Sequence, residues 1–424
     1  MWKQLKKMWS IRDLRNRILF IAAMLVIFRV AAHIPIPGVN AAALTQLFQQ
    51  NQVLGFFNVF SGGALENFSI VMMGVGPYIT ASIIFQVLQM VIPQLDEMAK
   101  EGASGQQKIQ QYTRYVAVPM AALQGFGTIS LLQTASGNTI LSTSMSAMDW
   151  AVALATVTAG SIFLMWLGEL ISEKQLGNGV SLIIFAGIIS GLPGSLQQIF
   201  LTFDPSQIPT ILAFLVVGFI TIIGIVFVTE GQRNIPISHA RHHNATSQKS
   251  YLPLRVNQAG VIPIIFAVTI VTLPQLAAQW LLQINVGFLN PVMQWIVTMS
   301  QNQLVHGIFY FLFVVVFSYF YTAVVFHPER IAENLQRGGS FIPGIRPGKD
   351  TEDYLRSVSN RILLAGALFL GTIAVLPLIV QAFASGGFQN VAIGGTSMLI
   401  IVSVAIETVK QVEAQLTVRE YDSF

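Results

Sequence analysis

Few side chains in this 424-residue chain have the type and spacing to do chemistry. Glu407 sits in an apolar run with Lys410 three residues on, the spacing of an ordinary helical ion pair rather than a proton relay. Arg29 and His33 fall near one end of the first apolar run, where a long cationic side chain snorkels to the interface. His242 and His243 are adjacent, without the HExxH spacing of a zinc protease and without a third ligand nearby. Gly344-Ile-Arg-Pro-Gly348-Lys349-Asp350 has glycines and a lysine. It places three residues, not four, between the glycines, and Asp350 stands where a phosphate loop needs Ser or Thr for magnesium. There is no cysteine, hence no disulfide, thiolate metal site or thiol nucleophile. These spacings predict no catalytic residue, no metal site and no cofactor. Without a nucleotide site, any energy for directional transport would have to come from a partner or a gradient.

The elements around these residues are apolar. Charged residues make up 10% of the chain and mean hydropathy is +0.64, the composition of an integral membrane protein. A hydrocarbon core of about 30 Å needs about 20 apolar residues per helix. Ten such segments fall near 18–34, 75–92, 115–135, 150–170, 179–196, 208–229, 258–282, 303–326, 360–380 and 393–412. Stretches 36–99, 115–173, 175–232, 256–329 and 362–409 contain no Lys or Arg, and each holds two of the segments. Because basic residues stay cytosolic, the pattern predicts ten spans with both termini cytosolic. Gly191-Leu-Pro-Gly194 and Asp204-Pro205 divide them five and five. Five is odd, so an N-terminal half (1–192) and a C-terminal half (208–424) joined by a loop at 193–207 run in opposite senses, as in inverted-repeat transport proteins. Loops 230–257 and 327–359 are long and carry Arg233, Arg241, Arg255, Arg330, Arg337 and Arg346. They read either as a docking surface or as charges that only enforce topology.

The segment from Ser61 to Gln86 looks like an apolar helix cut in two at Gly74-Val-Gly-Pro77. Its first half opens on two glycines and is too short and polar to face lipid, so it is expected in a water-filled funnel. Val75 and Ile79 after that break, and Val180 and Ile184 after Gly177-Asn-Gly179, each set a branched apolar ridge on one helix face. Such residues can close a pore by dewetting and still part for a large chain. Ordinary core packing produces the same spacing. A secondary transporter of a small solute and a structural scaffold also remain open on these residues.

Longer motifs narrow the choice. Ile34-Pro-Ile-Pro-Gly38, Phe57-Asn-Val-Phe-Ser-Gly-Gly-Ala-Leu65, Gln111-Tyr-Thr-Arg-Tyr115, Phe163-Leu-Met-Trp-Leu-Gly-Glu169, Ala259-Gly-Val-Ile-Pro263, Phe341-Ile-Pro-Gly-Ile-Arg-Pro-Gly348 and Gly394-Gly-Thr-Ser397 occur in order on the appropriate sides of the spans. With these the chain resembles, over essentially its whole length, the SecY family of channel subunits of the bacterial Sec protein translocase. The resemblance implies an all-α membrane protein: a clamshell of two inverted five-helix halves around an hourglass pore, hinged between the fifth and sixth spans. It implies a plug half-helix of Ser61, Gly62, Gly63, Ala64, Leu65, Glu66, Asn67, Phe68, Ser69, Ile70, Val71, Met72 and Met73, preceded by Phe60. The matched pore ring is Val75, Ile79, Val180, Ile184, Ile265 and Ile400. A lateral gate would bring Thr80 opposite Leu273, with Gln86, Gln124 and Asn257 as a polar cluster at its cytosolic end. Arg233, Arg255, Arg337 and Arg346 match docking positions for the motor ATPase SecA or the ribosome. The tip of the 230–257 loop, around residues 240–250, is less basic than the family pattern, and the tail after Lys410 is short. SecE, SecG and the signal peptides of preproteins are the other implied partners besides the lipid bilayer, with no recognition of nucleic-acid sequence. The implied location is a bacterial plasma membrane or, alternatively, a thylakoid, and the implied function is an unfolded-protein channel without enzymatic activity of its own.

Overall fold

The computed structural model describes residues 9–36, 58, 61–135, 146–201, 208–239, 250–258, 260–284, 289–383 and 395–422. The His242-His243 pair, Arg241, the 240–249 loop tip and Phe60 lie outside the described residues.

In chain order the elements are α1 (Arg12–Ala31), α2 (Gly76–Val91), α3 (Pro93–Lys100), α4 (Ala103–Ala135), α5 (Ala147–Ser172), α6 (Gly179–Leu201), α7 (Ile208–Glu230), β1 (Gln232–His239), β2 (Ser250–Arg255), α8 (Ile262–Ile284), α9 (Asn290–Gln301), α10 (Gln303–Val325), α11 (Pro328–Arg337), β3 (Ser340–Phe341), α12 (Lys349–Phe383) and α13 (Gly395–Asp422). Each of the ten apolar segments overlaps one of these helices; α3, α9 and α11 are additional. The outward faces carry large apolar side chains: Leu212, Leu215, Phe219, Ile223 and Phe227 of α7 are all exposed. On helices of this length such faces meet lipid rather than water.

The first five of these ten helices pack among themselves, α2 on α4, α4 on α5 and α5 on α6, with α1 across α5 and α6. The last five do likewise, α8 on α10, α10 on α12 and α12 on α13, with α7 against α12 and α13. The two groups meet along two seams: α8 against α2 and α4, and α13 against α6. No break occurs at Gly191-Leu-Pro-Gly194; α6 runs through Pro193 to Leu201. Neighbouring helices and water can satisfy the carbonyl a proline frees, so an apolar helix tolerates it.

α2 has 16 residues, a length of about 24 Å, less than the hydrocarbon thickness of about 30 Å. It starts only at Gly76 because the preceding residues form turns rather than helix. It ends at Ile92, which is extended, and α3 leaves at 102° to it behind Pro93.

The described parts of both long loops are folded, which the sequence pattern did not predict. β1 and β2 form an antiparallel hairpin with Ile235 opposite Leu252 and Arg233 opposite Leu254. β1 also pairs with β3, Ser238 opposite Phe341, so the sheet order β2-β1-β3 joins one loop to the other. Ile235, Leu254, Ile342, Leu355 and Val358 bury themselves beneath the sheet. Pro236 and Pro253 hid the hairpin, since proline inside a run argues against a strand. At the same end of the molecule, Leu14, Leu176, Val412 and Leu416 cluster, and Gln415 Nε2 donates to the Gln175 carbonyl at 2.7 Å. α13 therefore continues well past Lys410 and helps hold the turn before α6.

Candidate functional site

The aliphatic residues predicted from four separate segments come together. Val75, Ile184, Ile265 and Ile400 are buried in one cluster, and Ile79 and Val180 pack against it. Val75 caps the start of α2 and Ile79 lies in its first turn, while Val180 and Ile184 occupy the opening turns of α6. Ile265 sits near the start of α8 and Ile400 near the start of α13. On one side the cluster borders an open cavity of about 630 Å³, whose lining includes Ile79, Val180, Ile265, Arg114, Glu169 and Glu407. Arg114 Nε donates to Glu169 Oε1 at 2.7 Å, tying α4 to α5 across its wall. Glu407 accepts from Gln411, and Lys410 pairs with Glu230 of α7 at 2.8 Å rather than with Glu407. Among the described residues no cluster of His, Cys, Asp or Glu could hold a metal ion.

On the other side of the cluster lies the stretch 61–75, and it departs from expectation twice. It is a chain of hydrogen-bonded turns, not a half-helix, because Gly62, Gly63, Phe68 and Gly74 all take positive φ. It is also mostly buried in protein rather than bathed in a funnel. Ala64 and Val71 join the cluster that holds Val75, Ile184, Ile265 and Ile400, while Leu65, Phe68 and Met72 pack on Ile129 and Leu132 of α4 and on Ala153 and Val157 of α5. With this many apolar side chains, the segment gains more from packing than from solvation.

Its irregular backbone is satisfied by local partners, as burial requires. Asn58 donates from Nδ2 to Glu66 Oε2 at 2.9 Å and accepts from the Glu66 N–H at 3.0 Å. The chain just after α1 clasps the stretch from outside: the Ile36 N–H donates to the Phe68 carbonyl at 2.9 Å, and the Ile70 N–H to Ile34 at 3.0 Å. Arg29 Nη1 donates to the Gly62 carbonyl at 2.6 Å. Arg29 is therefore engaged with this segment instead of simply snorkelling.

The seam between α2, α4 and α8 is only partly as predicted. Gln124 Nε2 donates to Thr80 Oγ1 at 3.1 Å, and Gln86 Nε2 to Ser82 Oγ at 2.9 Å. Both bonds stay on one side of the seam, because the amides reach neighbours on α2 before they reach α8. Asn257, 8% exposed, has no partner for either side-chain polar atom, so Gln86, Gln124 and Asn257 do not form a bonded cluster. Leu273 lies on α8.

A protein-family comparison matches residues 69–409 to SecY. The protein translocase subunit SecY of Corynebacterium glutamicum is 43% identical, with 97% of each chain covered. The chain belongs to the SecY family. The SecY of Lactococcus lactis is 41% identical, covering 100% of this chain and 98% of its own. A solved protein-conducting channel superposes with a TM-score of 0.62 at 18% identity, covering 93% of this chain and 91% of that one. Sec61 in a canine ribosome-channel complex gives 0.57 at 16% identity, over 93% and 91%. At such identities the likeness is one of fold.

In this SecY-family chain the four predicted docking arginines lie on or beside the folded module of β1, β2 and β3, all exposed. Arg233 is on β1 and Arg255 ends β2. Arg337 ends α11 with its guanidinium on Glu333 at 2.5 Å. Arg346 occupies the turn after β3, where its carbonyl accepts from Thr351 Oγ1 at 2.8 Å. Sequence reasoning read Arg29 only as a snorkelling side chain and missed Gly160. A Cβ on Gly160 would come within 1.9 Å of the Ile70 carbonyl, so α5 meets the 61–75 stretch backbone to backbone. The small run Ala159-Gly-Ser161 in an apolar helix was the available signal for such an approach.

Proposed function

We propose that the chain passes unfolded, signal-bearing preproteins between its two halves and releases apolar helices sideways into a bacterial plasma membrane. Membership of the SecY family makes it a membrane-embedded protein-translocation channel rather than a solute transporter. The observation that carries the finer reading is the convergence of six aliphatic side chains from four segments between an open cavity and a buried, glycine-jointed stretch. In this reading Val75, Ile79, Val180, Ile184, Ile265 and Ile400 form the constriction, and residues 61–73 are the stopper. Branched apolar side chains exclude ions by dewetting, yet move aside for a polypeptide. The two groups of helices open about the connection between α6 and α7, and the seam of α8 with α2 and α4 is the exit to lipid.

The arginine-bearing module is the docking face for the motor SecA or the ribosome. SecE and SecG brace the bundle, and both termini are cytosolic. Pore and gate have separate tests, both helped by the absence of native cysteine. A cysteine at Ile79 or Ile265 is expected to crosslink to a cysteine in a stalled preprotein, while one at exposed Ile308 is not. Equal crosslinking at Ile308 would contradict the central pathway. Locking cysteines placed at Thr80 and Leu273 is expected to block secretion into vesicles driven by SecA and ATP; undiminished secretion would remove the gate from this seam.

A further inference from the structure

Helix α9 carries three faces suited to three surroundings. Met293, Ile296 and Val297 are half-buried on the side that packs against α8 and α10. Gln294 and Thr298, one turn apart, are exposed on a second side. Val292, Trp295 and Met299 are 51%, 61% and 37% exposed, and their i, i+3, i+7 spacing aligns them on a third side. There is no charged residue anywhere from 256 to 328. Water is a poor surrounding for that third side.

The helix is not itself a span. Its 12 residues cover about 18 Å, against a hydrocarbon core of about 30 Å. Asn302 then breaks the helix in extended geometry and starts α10 afresh, its Oδ1 accepting from the N–H groups of Leu304 and Val305. Leu304, Ile308, Phe309 and Leu312, in the first turns of α10, are all exposed on a spanning helix, so the surface directly continuing from α9 faces lipid. α8 enters from β2 and α10 leaves to α11, so α9 lies at the end of the bundle opposite the arginine-bearing module.

We propose that α9 is an interfacial helix. Val292, Trp295 and Met299 sit among the headgroups and upper acyl chains of the leaflet opposite that module, and Gln294 and Thr298 face water. A tryptophan flanked by aliphatic side chains on an uncharged amphipathic turn suits that boundary. Because α9 packs on both α8 and α10, the lipid surface fixes the height of the far end of α8. This placement rests on the chain's being a membrane-spanning channel, and not on which residues form its constriction.

The test uses the complete channel, with its small subunits, in phosphatidylcholine–phosphatidylglycerol vesicles. Single cysteines at 292, 295, 299, 294 and 298 are each labelled with an environment-sensitive fluorophore; labels at 292 and 299 leave Trp295 intact. Nitroxide lipids spin-labelled near the headgroup are expected to quench the 292, 295 and 299 labels at least about twofold more than those at 294 and 298. An aqueous paramagnetic chelate should give the reverse order. Stronger quenching of 292, 295 and 299 by the chelate than by the lipid would overturn the proposal. So would protection from both quenchers that disappears when the small subunits are stripped, since a protein would then be the occupant.

Discussion

Replacing Arg29 with methionine tests whether the 61–75 stretch is a stopper held in place by its surroundings. The substitution keeps most of the apolar stem and removes the donor to the Gly62 carbonyl, a bond of 2.6 Å. A hydrogen bond from a charged donor contributes about 1.5–3 kcal/mol. At tenfold per 1.4 kcal/mol, its loss raises the displaced population about 10- to 150-fold. The backbone bonds Ile36 to Phe68 and Ile70 to Ile34 remain, so the stretch is loosened rather than released. Conductance of the complete channel in a planar bilayer, without motor or substrate, reads that population as open time. Arg29→Lys, still a cationic donor but shorter and not planar, should give a smaller rise. Open time for Arg29→Met within about twofold of the parent, in a variant of unchanged thermal midpoint, would refute the link between this bond and closure.

Gly160→Val should have a larger effect, because even its first carbon falls 1.9 Å from the Ile70 carbonyl; raised leak or lowered thermal midpoint is expected, and a silent variant would contradict the close approach. Arg114→Gln removes an ion pair of 2.7 Å whose partners are 47% and 21% exposed, so a stability loss below about 1 kcal/mol is expected in chemical denaturation. Gln124→Leu and Thr80→Val should couple by about 0.6 kcal/mol in a double-mutant cycle, since they bond each other. No coupling is expected between Gln124 and Gln86. Leu355→Ala opens the core beneath β1, β2 and β3 and should cost that module about 2–5 kcal/mol. Limited proteolysis should then cut at 230–257 and 327–359 while the spans stay protected.

The helices were legible from the chain because hydrophobic length and the positions of Lys and Arg are properties of local sequence. Lipid demands long apolar runs, and a short basic loop stays cytosolic whatever its neighbours do. The convergence of the six aliphatic residues was half legible. Spacing alone singled out Val75 with Ile79 and Val180 with Ile184, but it cannot distinguish a pore ridge from a core ridge. Long motifs added Ile265 and Ile400, and packing joined all six in one cluster.

What the tertiary structure decided were the contacts between residues far apart in the chain. The pairing of Ser238 with Phe341 turns two loops into one module, and neither strand signals the other. Lys410 had two carboxylates in reach, and the approach of α7 to α13 selected Glu230 over the helical neighbour Glu407. The 61–75 stretch read as polar and broken because glycines dominate its start. Its burial follows from the room left between α1, α4 and α5, which is a property of the assembled bundle. Periodicity reports which face of an element is apolar; only packing determines what that face meets.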